Sequence, residues 1–208
     1  MKKLLLSILV LSGTAFHAEA QLKFGVKGGL NLATLKDTHS GSTPDIDAYK
    51  NKIGYHAGAI AQLPLLGKLS IQAEALYNVK GAKIENQDSD NTGPSLSYFS
   101  IPVLAVYKPG QKFGIEGGVE FSSVLSAKQT FLGKSTDIKS GLENTNDIGL
   151  VGGIQFQFTE RLNFDARYVF GLTTIQKPTF TDAAGNQTGS VEFKNQACQF
   201  SLAYFLLK

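Results

Sequence analysis

The chain has 208 residues, with 20 Lys and Arg against 17 Asp and Glu, a formal net charge of +3. Such a mild balance gives no reason to expect nucleic acid as a partner. The only cysteine is Cys198, which excludes an intramolecular disulfide framework.

The N-terminus reads MKKLLLSILVLSGTAFHAEA. Lys2 and Lys3 form a basic start, Leu4 to Leu11 an apolar stretch, and Ala18-Glu19-Ala20 a small-x-small cleavage site. This pattern predicts a secretory signal peptide over 1–20, because the apolar run is shorter than the roughly 20 residues a spanning helix needs. The remainder, 21–208, is read as one domain.

Past that point the apolar residues recur with period two, the signature of strands with two unlike faces. In the first, Leu22, Phe24, Val26, Leu30 and Leu32 oppose Lys23, Lys27 and Asn31. In the second, over 52–63, Ile53, Tyr55, Ala57, Ala59 and Ala61 oppose His56, Gly58 and Gln62. The third, over 68–80, sets Leu69, Ile71, Ala73, Ala75 and Tyr77 against Gln72, Glu74 and Asn78. The fourth, over 97–107, is apolar on both faces, and alternation does not assign them. The fifth, over 112–125, sets Phe113, Ile115, Val119 and Phe121 against Glu116 and Glu120. The sixth, over 147–158, sets Ile148, Leu150, Ile154 and Phe156 against Asp147, Gln155 and Gln157. In the seventh, Leu162, Phe164, Tyr168, Phe170 and Leu172 oppose Asn163, Asp165 and Arg167. In the eighth, over 195–207, Cys198, Phe200, Leu202 and Tyr204 oppose Gln199 and Ser201.

The connections alternate. Pro64–Gly67, Pro109–Gln111 and Thr159–Glu160 are short, while Lys36–Asn51, Gly81–Leu96, Ser126–Asn146 and Ile175–Lys194 are long and polar. Strict short–long alternation predicts an all-β, eight-stranded antiparallel up-and-down transmembrane β-barrel, with short periplasmic turns and longer surface loops. In hydrocarbon every backbone polar group needs a partner, so the sheet must close. The unbroken apolar faces then meet lipid. The polar faces turn inward, where Lys27, Glu74, Glu116, Glu120, Asp165 and Arg167 are expected to form an interior ion-pair network. Within it, Glu116 and Glu120 are the first candidates to pair with Arg167. Glycines of the same parity, among them Gly29 and Gly153, make room for these long side chains.

The stretches FGVKGGLNLATL, LSIQAEALYNVKGAKI, FSIPVLAVYK, DIGLVGGIQFQF and LNFDARYVFGLTTI resemble the outer-membrane protein β-barrel domain family, small porin-like or PorT-like proteins of Gram-negative bacteria. They span nearly the whole of 21–208 in the family's order. The resemblance implies residence in the outer membrane, usually without an assigned activity.

Chemical motifs are sparse. Asp37, His39 and Ser40 supply the residue types used by outer-membrane lipid-modifying barrels, but adjacency in sequence does not provide nucleophile–base geometry. His56 reads as a hydrogen-bonded interior residue, and DSDNTG at 88–93 as a polar loop without the closing Glu of a calcium loop. No catalytic, cofactor or metal-ligating set is expected. Three function classes follow: a small outer-membrane barrel with a structural, surface-interaction or minor porin-like role; an outer-membrane acylase or acyltransferase; and a soluble lipocalin-like carrier. For the first, the expected partners are outer-membrane lipid and lipopolysaccharide and the outer-membrane assembly machinery, and the expected state is a monomer.

Overall fold

The computed structural model describes residues 21–41, 49–65, 67–84, 93–131 and 133–207. The expected signal peptide and most of the DSDNTG stretch lie outside the described residues. Eight long strands form the wall: β1 (Lys23–Gly41), β2 (Tyr49–Pro64), β3 (Leu69–Ile84), β4 (Gly93–Tyr107), β5 (Phe113–Phe131), β7 (Asn146–Gln157), β8 (Leu162–Gln176) and β10 (Gln187–Leu207). Two short strands, β6 (Lys134–Asp137) and β9 (Thr179–Thr181), fold back on β5 and β10. All neighbours are antiparallel, and β1 pairs with β10 from Phe24↔Leu207 to Gly41↔Gly189, which closes the sheet.

The period-two pattern fixes which face of each strand meets lipid. Val26, Leu30, Ile53, Ile115, Leu150, Ile154 and Leu202 are exposed on the outer wall, while Lys27, Asn31, Glu74, Glu120 and Arg167 are buried inside. On β8 the outward apolar run from Leu162 to Leu172 matches the about 9–11 tilted residues that cross a bilayer. The fourth strand, whose faces alternation left open, turns Phe99, Ile101, Val103 and Tyr107 outward and Tyr98, Leu104 and Val106 inward. At the upper edge of this wall, Tyr77 donates to Ser97 Oγ (3.0 Å) and Tyr168 to Gln196 Oε1 (2.7 Å). A tyrosine with its ring in hydrocarbon and its hydroxyl on a polar neighbour marks a membrane–water interface.

The expected long loops are shorter than their polarity suggests. β1 continues to Gly41 and β3 to Ile84, β4 starts at Gly93, β5 runs to Phe131, and β10 starts at Gln187. The reason lies in the solvent. Above the Tyr77–Tyr168 level the wall faces water, and the chain turns its apolar residues inward, as an ordinary water-soluble sheet does. Leu35, Leu96, Tyr98, Val124, Ala127, Ile175, Val191 and Phe193 form one buried core there, with Tyr49, Ile138, Leu142 and Phe180 packed on it. Outward apolar residues in the lower wall and inward ones above it mean that the hydrophobic stripe changes parity along a strand: Leu30 and Leu32 point out, Leu35 points in.

Candidate functional site

The inward polar residues stack in layers up the lumen. Near the end that carries the short turns, Ile60, Ala203 and Phe205 make a small apolar floor. Above it lies the charged layer. Lys27 Nζ donates to Glu74 Oε1 (2.9 Å) and to Asp165 Oδ1 (3.0 Å). Arg167 Nη1 donates to Glu74 Oε1 at 3.0 Å, and Nη2 lies 3.0 Å from Oε2. Arg167 Nε donates to Gln199 Oε1 (2.7 Å). Higher up, Lys80 donates to Glu120, which also accepts from Ser122 Oγ at 3.1 Å. In such surroundings charges persist only when paired and hydrogen-bonded.

The structure therefore brings Lys27, Glu74, Asp165 and Arg167 together and gives Glu120 a different cation. Two expectations need correction. Arg167 takes its carboxylate from Glu74, not from Glu116 or Glu120. Glu116 is held by an amide instead: Gln155 Nε2 donates to its Oε2 at 2.6 Å. The stagger of strands around a closed barrel decides this, because it sets which side chains share a level across the lumen. Lys80, absent from the expected network, shares the inward parity of Glu74 and Asn78, and that was the available signal. Asp147 likewise has an amide partner, Asn195 Nδ2 at 2.8 Å, which also donates to Tyr98 Oη at 2.6 Å.

Between these layers sits a chain of hydrogen bonds with the connectivity of a nucleophile, a base and its orienting group. His56 Nε2 is 2.8 Å from Ser201 Oγ, and His56 Nδ1 is 2.8 Å from Asn31 Oδ1. The Asn31 amide in turn donates to Asn78 Oδ1 (2.7 Å) and to the Val79 carbonyl (2.8 Å). Residue types and distances suit catalysis, but all three side chains are sealed: Asn31 is 0% exposed, His56 1% and Ser201 2%. Packing is tight enough that a Cβ at Gly29 would strike the His56 ring and the Phe200 carbonyl, which is why glycine stands there. The arrangement fastens β1, β2 and β10 together. At the rim, His39 Nε2 lies 2.7 Å from Asp37 Oδ2, and Ser40, one residue on, falls on the opposite face of the strand.

A closed antiparallel barrel with an apolar outer wall and a filled polar lumen defines an integral outer-membrane β-barrel protein. The chain belongs to the outer membrane protein beta-barrel domain family, whose profile matches residues 17–177, and it resides in the outer membrane. A solved structure of similar fold is that of Neisserial surface protein A (NspA): TM-score 0.53, 13% identity, covering 87% of this chain and 96% of that one. Others are Ail, the attachment invasion locus protein of Yersinia pestis (TM-score 0.44, 13% identity, 87% and 99%), and the outer membrane protein AlkL (TM-score 0.45, 10% identity, 93% and 95%). No curated protein matches the chain. The soluble-carrier alternative is overturned by the family and by the outward apolar wall: a lipocalin-like carrier would turn those residues inward.

Proposed function

We propose that this is a filled barrel that acts through its outer wall and its cell-surface end, in a structural or surface-interaction role, and not as a conduit. The observation that carries this reading is the occupied lumen. An apolar floor (Ile60, Ala203, Phe205), an ion-pair layer (Lys27, Glu74, Asp165, Arg167), an amide and hydroxyl layer (Asn31, His56, Asn78, Ser100) and an apolar upper core follow one another along the axis. Eight strands leave an interior just wide enough for side chains to fill. What remains for partners is the rim above the membrane, where β5–β6 and β9–β10 project.

The test is ion conductance of the refolded protein in a planar bilayer. The expected result is no stepwise current. Steady channels in the wild type that change with Arg167→Met would sink the reading in favour of a minor pore.

A further inference from the structure

We infer that the short-turn end of the barrel binds the phosphate of anionic lipid headgroups, with its main seat in the hollow between the β2–β3 and β4–β5 turns. The site lies at the opposite end from the surface role proposed above and is independent of it. Every connection at this end carries a cation. Lys23 opens β1, Lys68 follows the β2–β3 turn, Lys108 and Lys112 bracket the β4–β5 turn, and Arg161 ends the β7–β8 turn. On the segments 21–23, 64–68, 108–112 and 158–161 Glu160 is the only acidic residue. One carboxylate cancels at most one of five positive charges. Among the described residues no carboxylate pairs with any of the five. Lys108 Nζ meets a neutral group, Gln157 Oε1, at 3.1 Å. Burial, and then the charge of Lys23, hold the Lys108 ammonium below its ordinary range, so the cations crowd one another.

Their depth is specific. The four lysines are next in sequence to Phe24, Leu69, Tyr107 and Phe113, exposed residues on the lower border of the apolar wall. Arg161 is next to Leu162, which begins the outward run of β8. One residue along a strand is about 3.3 Å. The charges therefore stand just outside the hydrocarbon, with their stems against its edge. A border tyrosine such as Tyr107 settles at the same headgroup level.

Two of the lysines share a hollow. The backbone N–H of Lys108 donates to the Lys68 carbonyl at 2.8 Å, which joins the first two short turns. Between these turns lies an open hollow of about 340 Å³, lined by Lys68, Ser70, Lys108 and Gln111 beside Gly67 and Gly110. The glycines leave it uncovered, since a Cβ at either would touch nothing. Like charges on neighbouring strands repel, and an anion between them relieves this. Lysine offers a compact point charge for phosphate, and the Ser70 hydroxyl and Gln111 amide supply further donors. At headgroup depth the phosphate within reach belongs to a lipid, whose acyl chains can continue along Leu69 and Tyr107, a cross-strand pair on the outer wall. The surplus of positive charge favours an anionic headgroup over phosphatidylcholine, which carries its own cation.

The experiment refolds the full 21–208 chain in phosphatidylcholine vesicles doped with phosphatidylglycerol. Native mass spectrometry after detergent extraction reads the lipid retained. Wild type should retain phosphatidylglycerol preferentially. Lys68→Gln/Lys108→Gln should lower that retention about tenfold, and Lys68→Arg/Lys108→Arg should keep it. Lys128→Gln/Lys134→Gln, which removes the same charge at the far end, should leave it unchanged. Equal retention of the two lipids by wild type, or unchanged retention in Lys68→Gln/Lys108→Gln, would overturn the proposal. An equal loss in the far-end pair would reduce it to an effect of net charge, and complete competition by inorganic phosphate would make the hollow a free-anion site; either result overturns it. Gel mobility of unboiled samples from plain phosphatidylcholine reports folding separately. If Lys68→Gln/Lys108→Gln does not fold, Lys68→Gln/Lys112→Gln, which changes two exposed turn residues, decides by the same criterion.

Discussion

Arg167 on β8 and Glu74 on β3 meet in a two-point ion pair across the lumen, with both nitrogen–oxygen distances at 3.0 Å. In the closed strand order β1-β2-β3-β4-β5-β7-β8-β10 these strands stand opposite each other. The pair is thus a transverse tie between two walls that share no backbone hydrogen bonds. Glu74→Ala would strip Arg167 of this carboxylate inside the barrel and should destabilise the folded state by about 3–5 kcal/mol. The double variant Glu74→Ala/Arg167→Met should recover part of that loss. Urea unfolding from lipid vesicles, run as a double-mutant cycle, measures the coupling. Strictly additive losses would show that the tie contributes nothing.

The outer wall makes the opposite demand. Ile154 lies within the outward run of β7, between Leu150 and Phe156, and is 47% exposed. Ile154→Arg puts a charge into hydrocarbon near mid-depth and should cost about 2–4 kcal/mol. The same change at Ser97, level with the tyrosine hydroxyls, should cost far less. Refolding yields of the two variants in vesicles compare them, and equal yields would mean that Ile154 does not face lipid.

The upper core predicts a separable lesion. Leu96 is 1% exposed within it, and Leu96→Ala should cost about 2–5 kcal/mol. The damage should appear above the membrane, as faster protease cleavage at β5–β6 and β9–β10. The heat-dependent gel shift of the membrane-embedded part should persist. Loss of that shift would mean that the two halves fold as one unit.

The β9–β10 hairpin carries a pH dependence. The hydrogen bond from Lys177 holds the Glu192 carboxyl below its ordinary range, and the same bond raises the Lys177 ammonium. A depressed carboxylate contributes stability above its unfolded pKa and loses it as pH falls through the folded value. The raised ammonium contributes below its unfolded pKa and loses it as pH rises through the folded value. The hairpin should therefore be best protected at intermediate pH and loosen below about pH 4. Asp182 adds to the acid side: its carboxylate, lowered first by the Asn186 backbone N–H, caps the turn that Gly185 closes at φ 86°. Amide hydrogen exchange across 177–192, corrected for the intrinsic rate, should show this acid loosening in wild type. Glu192→Gln should abolish the part that comes from the ion pair.

Ser201 supplies a test of chemistry. Sealed at 2% exposure beside His56, it should not react with a fluorophosphonate probe in the folded protein. Labelling that disappears in Ser201→Ala would reveal access to the lumen and reopen the catalytic reading.

Alternation alone assigned Phe164, Tyr168 and Phe170 to lipid and Asp165 and Arg167 to the interior, because a strand's side chains can only take one side or the other. It also located the turns near Gly67 and Gly110, where Gly and Pro break the pattern. The upper extension was legible in principle, as the change of parity between Leu32 and Leu35 or between Phe193 and Cys198. It read as loop because polar residues facing water in a strand resemble polar residues in a coil. The partner of each interior charge was not legible. Whether Arg167 meets Glu74 or Glu116 depends on the stagger at which β1 closes on β10, and no stretch of sequence encodes that distance across the lumen. Likewise, Lys36 and Lys194 stand 158 positions apart in the chain, and only closure of the sheet brings their like charges face to face.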